Sequence, residues 1–118
     1  MGYSAAHEQS LRFAVRIVRL YQYLEEKNEY VLSKQILRSG TSIGANLAEA
    51  KAAISRKDFQ AKVYIALKEC AETLYWLELL KETDYLSREQ YQSLHDDCEG
   101  LRRILSATTR TLSKKETI

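Results

Sequence analysis

Apolar residues recur every three or four positions through four segments of the chain, the spacing that places them on one face of an α-helix. In the first segment, residues 4–27, one row is Phe13, Ile17, Leu20 and Leu24. The row beside it contains Leu11, Ala14, Val15, Val18 and Tyr21. A face this wide exceeds what a single neighbouring helix covers, so we expect this helix to pack within its own bundle and partly on another subunit.

The second segment, residues 32–53, predicts a helix with two glycines in its interior. Its apolar row is Ile36, Gly40, Ile43, Leu47, Ala50 and Ile54. Gly40 and Gly44 each cost about 1 kcal/mol in a helix relative to alanine. We therefore expect them to lie where another helix approaches closely.

A polar row runs along the same segment, rotated by about 100° from the apolar row. Its members are Gln35, Ser39, Ser42, Asn46 and Glu49. One interpretation is a solvated face. The other is a partly buried stripe that forms hydrogen bonds between helices, because exposed Ser and Asn are weak helix formers. In the second interpretation, Arg38 and Glu72 are the expected charge partners.

The remaining segments, residues 56–81 and 88–112, each begin with a capping-box pattern, Ser55 to Asp58 and Ser87 to Gln90. There is no proline and there are only four glycines, which disfavours an all-β fold with many turns. Four long helices with short turns predict an all-α, antiparallel up-down-up-down four-helix bundle. Residues 1–118 form one domain in this prediction, and the tail from residue 113 is expected to fray.

The net charge of +2 conceals a segregation of bases and acids along the chain. Residues 31–68 carry a net +5, residues 69–100 a net −7, and residues 101–118 a net +4. In the predicted bundle, the start of the first helix, the second turn and the end of the fourth helix share one end. The bases expected to collect there are Arg12, Arg16, Lys51, Arg56, Lys57, Lys62, Arg103, Arg110, Lys114 and Lys115.

Two interpretations of this basic end stay open. Ordinary surface charge is one, because helix C-termini favour cations. Nucleic-acid binding is the other, since Arg56 and Lys57 lie in the first turn of a helix, where positive charge opposes the dipole. Tyr64, Tyr75, Trp76 and Tyr91 would either stack on unpaired bases or serve as core and interface anchors.

No constellation for catalysis is evident. The chain has no P-loop, no GxGxxG and no HExxH, and its two cysteines, Cys70 and Cys98, are expected to be small apolar fillers of the core. We expect no enzymatic activity, no cofactor and no metal. No apolar run approaches the roughly 20 residues that cross a bilayer, so we expect a soluble, cytoplasmic protein without a membrane partner.

A motif in the second segment carries a family resemblance. Gln35, Arg38, Ser42-Ile43, Asn46 and Ala48-Glu49, followed by a basic turn and by Ala71-Glu72, are at the spacings typical of proteins encoded in intervening sequences of bacterial 23S ribosomal RNA. The chain resembles this family from about residue 10 to 112. It departs from the pattern at Ala50, where glycine is usual, and in lacking the proline-containing turn after the first helix.

The resemblance implies a ring-shaped homopentamer of antiparallel four-helix bundles. The accessory proteins of diversity-generating retroelements are similar at a greater distance, and those proteins bind nucleic acid and a reverse transcriptase. We therefore expect a non-enzymatic oligomeric protein that binds RNA or a ribonucleoprotein through the basic end. The alternative is a structural scaffold that docks protein partners and does not bind nucleic acid.

Overall fold

The computed structural model describes residues 3–116, and the side chains of residues 5–113, as four α-helices joined by short turns. The helices are α1 (Tyr3–Glu26), α2 (Leu32–Lys51), α3 (Arg56–Glu82) and α4 (Arg88–Glu116). No strand occurs between residues 3 and 116, which confirms the all-α prediction. None of these helices has the length and apolarity needed to cross a membrane. α4 continues to Glu116, into the tail that we expected to fray.

α1 and α3 end in the same way, at one residue in the left-handed conformation. Asn28 has φ 64° and Asp84 has φ 66°. After α1, the Glu29 N–H donates to the Leu24 carbonyl and the Asn28 N–H donates to the Glu25 carbonyl, both at 2.9 Å. This is a Schellman motif, in which two otherwise unpaired carbonyls at the helix end gain donors. Asn and Asp tolerate positive φ better than most residues, which explains the break after residue 27.

The predicted capping box of α4 is confirmed, and that of α3 is confirmed in part, because its carboxylate reaches the N–H one residue before the cap. The Ser55 hydroxyl accepts from the Asp58 N–H at 3.0 Å, and the Asp58 carboxylate reaches back to the Ile54 N–H at 3.2 Å. At the start of α4, the Ser87 hydroxyl accepts from the Gln90 N–H at 3.1 Å and the Gln90 side chain accepts from the Ser87 N–H at 2.9 Å. These bonds fix the first residue of each helix.

The N-terminus of α2 is capped by a side chain that we did not predict as a cap from the sequence. The Glu29 carboxylate accepts from the N–H groups of Val31 and Ser33 at 3.1 and 2.7 Å. A carboxylate is favourable here because unpaired N–H groups make a helix N-terminus partly positive. The turn between α1 and α2 is thereby anchored without a proline.

The core consists mainly of the predicted apolar rows. Large side chains that are fully buried include Phe13, Ile17, Leu24, Ile36, Ile43, Leu47, Val63, Leu77, Leu101 and Leu105. Ile54 was placed in the α2 row, and this prediction is wrong, because α2 ends at Lys51 and Ile54 is 94% exposed in the turn. Ala52 and Ala53 terminate α2 by donating to the carbonyls three residues earlier.

Each helix packs against its sequence neighbours, and α4 also packs against α1. Within the described chain, no Cα atoms of α1 and α3, or of α2 and α4, lie within 8 Å of each other. The four helices therefore surround one core, and the whole bundle extends over 51 × 23 × 20 Å between Cα atoms.

Gly40 and Gly44 lie where α2 meets α1, which confirms the expected close approach. A Cβ added to Gly40 would lie 2.7 Å from Ile17 Cγ1, and one added to Gly44 would lie 3.1 Å from Ser10 Oγ. Both glycines thus serve packing inside this chain. The two glycines therefore give no reason to expect a second subunit.

Candidate nucleic-acid interface

Three of the predicted bases lie at the turn between α2 and α3. Lys51 is the last residue of α2, and Arg56 and Lys57 are the first two residues of α3. All three are exposed, and none forms an ion pair within the described residues. The Ser55 cap fixes the start of α3, so it holds both cations in the first helical turn. Their charge is unfavourable for the helix and available to an external anion.

The two predicted bases of α1 have different surroundings. Arg12 is exposed and borders a depression with Asp96 and Asp97. Arg16 lies near the middle of α1, where its guanidinium donates to Asp97 at 2.6 Å and to the Ser93 hydroxyl at 2.9 Å. Arg16 therefore bridges α1 and α4 rather than standing at the basic end.

Lys62 is likewise engaged inside the chain. Its Nζ atom lies 3.0 Å from a carboxylate oxygen of Glu49, which links α3 to α2. The hydrogen bond to Glu49, and its negative charge, raise the pKa of Lys62 above the ordinary value. Because Lys62 is paired with Glu49, it adds less positive charge to the basic end than the sequence alone indicates.

The bases of α4 gather on one face of its second half. Arg102, Arg103, Ser106 and Arg110 line one surface depression. Arg103 and Arg110 are predicted site residues, whereas Arg102 and Ser106 were missed. Positions three, four, seven and eight apart on a helix share a face, and this spacing was the signal for all four. The predicted Lys114 and Lys115 follow on α4, and their side chains lie outside the described residues.

The Arg38 side chain of the motif bridges α2 and α3, as expected for the pair with Glu72. Its guanidinium donates to Glu72 and also to Glu69, 3.0 Å away. The Trp76 indole N–H donates to the same Glu72 carboxylate at 2.8 Å. Hydrogen bonds from Trp76 and Arg38 lower the pKa of Glu72. Gln35, one turn before Arg38, is exposed.

Only part of the polar row forms bonds between helices. Ser39 is fully buried and accepts from the Thr73 hydroxyl of α3 at 3.0 Å. Ser42 and Asn46 are half-buried, and they donate to backbone carbonyls four residues earlier in α2, those of Arg38 and Ser42, at 2.5 and 2.8 Å. The expectation of interhelical bonds is thus wrong for Ser42 and Asn46, and it is confirmed for Ser39 and for Glu49, which pairs with Lys62 of α3.

The two cysteines face each other in the core between α3 and α4. Cys70 and Cys98 are fully buried and free, and the Cys98 thiol donates to the Cys70 carbonyl at 3.6 Å. Hydrogen bonding to Cys70 and burial raise the pKa of Cys98 far above its ordinary value, so the thiol stays protonated. Their role as apolar fillers fits this environment. Among the described residues, no cluster of three or more His, Cys, Asp or Glu is arranged to hold a metal ion.

The aromatic residues that we considered for stacking differ in availability. Tyr64 and Tyr75 are exposed, 40% and 59% respectively. Trp76 is half-buried and bonded to Glu72, and Tyr91 is half-buried with the Lys81 ammonium 4.3 Å from its ring centroid. The exposed aromatics do not lie in the depression of α4.

An apolar groove opens between α1 and α2. Leu11 and Ala14 of α1 and Ala45 and Ala48 of α2 contribute to its lining, and its volume is about 360 Å³. Leu11 is 64% exposed, and Val15 and Val18 extend the apolar surface of α1 at 48% and 39% exposure. The second apolar row of α1 is thus left largely uncovered by the chain's own helices.

Comparison with known proteins supports the resemblance seen in the sequence. Residues 4–107 match the family model described as 23S rRNA-intervening sequence protein. The chain is also similar to the crystal structure of a protein of unknown function from the S23 ribosomal protein family of Bacteroides thetaiotaomicron. That similarity has 55% identity and a TM-score of 0.86, and it covers 88% of this chain and 97% of that one. No curated protein is detectably similar to the chain.

Proposed function

The chain belongs to the 23S rRNA-intervening sequence protein family, and from this premise we propose that it is a non-enzymatic, homo-oligomeric protein that binds RNA or a ribonucleoprotein through its basic end. The observation that carries the proposal is the turn between α2 and α3. Lys51, Arg56 and Lys57 are exposed there without an ion pair in the described residues, and two of them oppose the dipole of α3.

The order of interhelical contacts supports a shared basic end. Along α1, Ser10 approaches Gly44 and Ile17 approaches Gly40, so the two helices run in opposite directions. The pairs Lys62–Glu49 and Thr73–Ser39 indicate the same antiparallel arrangement for α3 and α2. The contacts Tyr64–Ser113 and Cys70–Cys98 do so for α3 and α4. From these contacts we infer an up-down-up-down bundle, in which the end of α4 would lie near the turn between α2 and α3.

Assembly into a ring, with five copies as the sequence resemblance implies, is part of this proposal. The apolar groove between α1 and α2 favours it, because Leu11, Val15 and Val18 present a continuous apolar stripe to solvent. A second copy of the chain is the occupant that we propose. Each added copy would bring its own basic end and so increase the charge available to a polyanion.

Light scattering tests the assembly. We expect a mass about five times the chain mass of 13.6 kDa. Val15→Glu places a charge in the apolar stripe and should yield the monomer, whereas Gln22→Glu on an exposed position of α1 should leave the assembly intact. A monomeric wild-type protein would remove this part of the proposal.

RNA binding is tested by titrating labelled RNA at several salt concentrations. Arg56→Gln/Lys57→Gln should weaken binding to unrelated RNA sequences about equally, and should reduce the salt slope by about 0.7 for each lost phosphate contact. Lys62→Gln is the matched control, because that ammonium is already paired with Glu49. Salt-independent binding, or equal loss in the control, would contradict the proposal.

A structural scaffold remains the second candidate. The apolar groove also suits a protein partner, and a reverse transcriptase is the partner that the distant resemblance suggests. A wild-type oligomer that binds no RNA or DNA at any salt concentration would favour this candidate. The proposed lack of enzymatic activity rests on the sequence, which carries no P-loop, GxGxxG or HExxH motif, and both thiols that could act as nucleophiles are buried.

A further inference from the structure

Three arginine side chains converge on the depression of α4. Arg102, Arg103 and Arg110, together with Ser106, line it, and no carboxylate contributes to the lining. Arg102 is paired with Glu99 one turn earlier. Arg103 and Arg110 are exposed and have no ion-pair partner in the described part of the chain. Like charges around one depression repel each other, and a bound anion would relieve this repulsion.

Hydrogen bonding orients this cluster for an external ligand. The Arg110 guanidinium donates to the Ser106 hydroxyl at 3.0 Å, which holds it beside the depression. The hydroxyl accepts in that bond, so its own hydrogen can be donated to a ligand. A guanidinium presents paired N–H groups that match the oxygens of a phosphate. The cluster therefore offers two arginine forks and one hydroxyl donor to the same anion.

We propose that Arg102, Arg103, Ser106 and Arg110 form a binding site for the phosphate groups of a polynucleotide, with Arg103 and Arg110 as the main contacts. The polynucleotide part rests on the proposed function, and it deepens that function by assigning a principal contact to α4. No aromatic side chain lines the depression. Recognition is therefore of the backbone and not of the bases, because base recognition on single strands requires stacking or contacts to base edges.

The test compares Arg103→Gln/Arg110→Gln with the matched control Arg19→Gln/Arg88→Gln, which removes two exposed arginines outside the depression. The probe is a labelled single-stranded RNA, followed by fluorescence anisotropy over a series of salt concentrations. Each lost contact lowers the salt slope by about 0.7, which at about 0.1 M salt corresponds to about 5-fold in Kd. The double variant should bind roughly 25-fold more weakly than the wild type, and the control should bind like the wild type.

A second probe, tripolyphosphate, separates the anion site from RNA binding. It should raise the thermal midpoint of the wild type and not that of Arg103→Gln/Arg110→Gln. If this holds while the wild type binds no RNA, the anion site stands and its polynucleotide ligand is refuted together with the proposed function. If the α4 variant binds RNA normally while Arg56→Gln/Lys57→Gln does not, this inference is overturned and the proposed function stands. A wild type that responds to neither probe overturns both.

Discussion

Two glycines in helix interiors should respond in opposite ways to the same substitution. Alanine is the better helix former by about 1 kcal/mol, so Gly→Ala stabilises a helix wherever the added methyl group fits. At Gly100 in α4, a Cβ would meet no atom within 4 Å. At Gly40 in α2, it would lie 2.7, 2.8 and 3.0 Å from three side-chain carbons of Ile17. These distances are shorter than the roughly 3.5–4.0 Å at which carbon atoms are in favourable contact.

The clash at Gly40 has no easy relief. Ile17 is fully buried, and its branched Cβ restricts rotation about χ1, so the side chain must move with its backbone. Overpacking of this kind costs about 1–3 kcal/mol, and the gain in helix propensity offsets about 1 kcal/mol of it. We expect Gly40→Ala to lower the free energy of unfolding by up to about 2 kcal/mol. Gly100→Ala should raise it by about 1 kcal/mol.

Urea denaturation followed by circular dichroism, at one fixed protein concentration because assembly adds to apparent stability, measures both effects. Ile17→Ala supplies the coupling test, since it removes all three carbons that the new methyl group would meet. In that background Gly40→Ala should be stabilising, as Gly100→Ala is in the wild type. If Gly40→Ala stabilised the wild type as much as Gly100→Ala does, the explanation of Gly40 by close packing would be refuted.

Two further predictions concern the contacts between α2 and α3. Ser39→Ala removes a buried interhelical hydrogen bond and should lower the free energy of unfolding by about 1 kcal/mol. Asn46→Ala should change it little, because Asn46 is half-buried and bonds only within α2. Thermal unfolding of the two variants measures the difference. Hydrogen bonds from Trp76 and Arg38 lower the pKa of Glu72 below its ordinary 4.5, so they stabilise the folded state above that pH and are lost as the pH falls through the lowered value. The difference in urea midpoint between wild type and Glu72→Gln should be largest near neutrality and vanish in acid, and a constant difference would contradict this.

The helices and their starts were predictable because both depend on local sequence. The apolar rows with a period of about 3.6 residues predict the helices, and the two capping patterns predict where α3 and α4 begin. The structure has the corresponding helices and caps. Helix ends were harder. Ile54 continues the apolar row by spacing, but α2 ends at Lys51 and Ile54 is exposed. The spacing of apolar residues does not show where the helical hydrogen bonds of the backbone end.

The candidate site was less predictable, because charge counts do not show pairing. Arg16 and Lys62 were both assigned to the basic end of the bundle, yet each lies opposite a carboxylate of another helix. Which base meets which acid depends on the relative height and rotation of the helices, and a single sequence does not specify these. Arg102 and Ser106 were overlooked for a different reason, since the bases were assigned by bundle end and not by helix face.

The two surfaces on which the proposals depend lie on different parts of the bundle. The apolar groove is formed by α1 and α2, whereas the arginine depression belongs to α4, whose Cα atoms all lie more than 8 Å from those of α2. A second copy bound in the groove of one chain would therefore not cover the arginine depression of that same chain. Assembly through α1 and α2 would then increase the number of phosphate contacts per particle without adding any new contact within a subunit, and binding to a long polyanion would tighten through multivalency. On this argument, Val15→Glu should weaken RNA binding as well as assembly, although it changes no arginine.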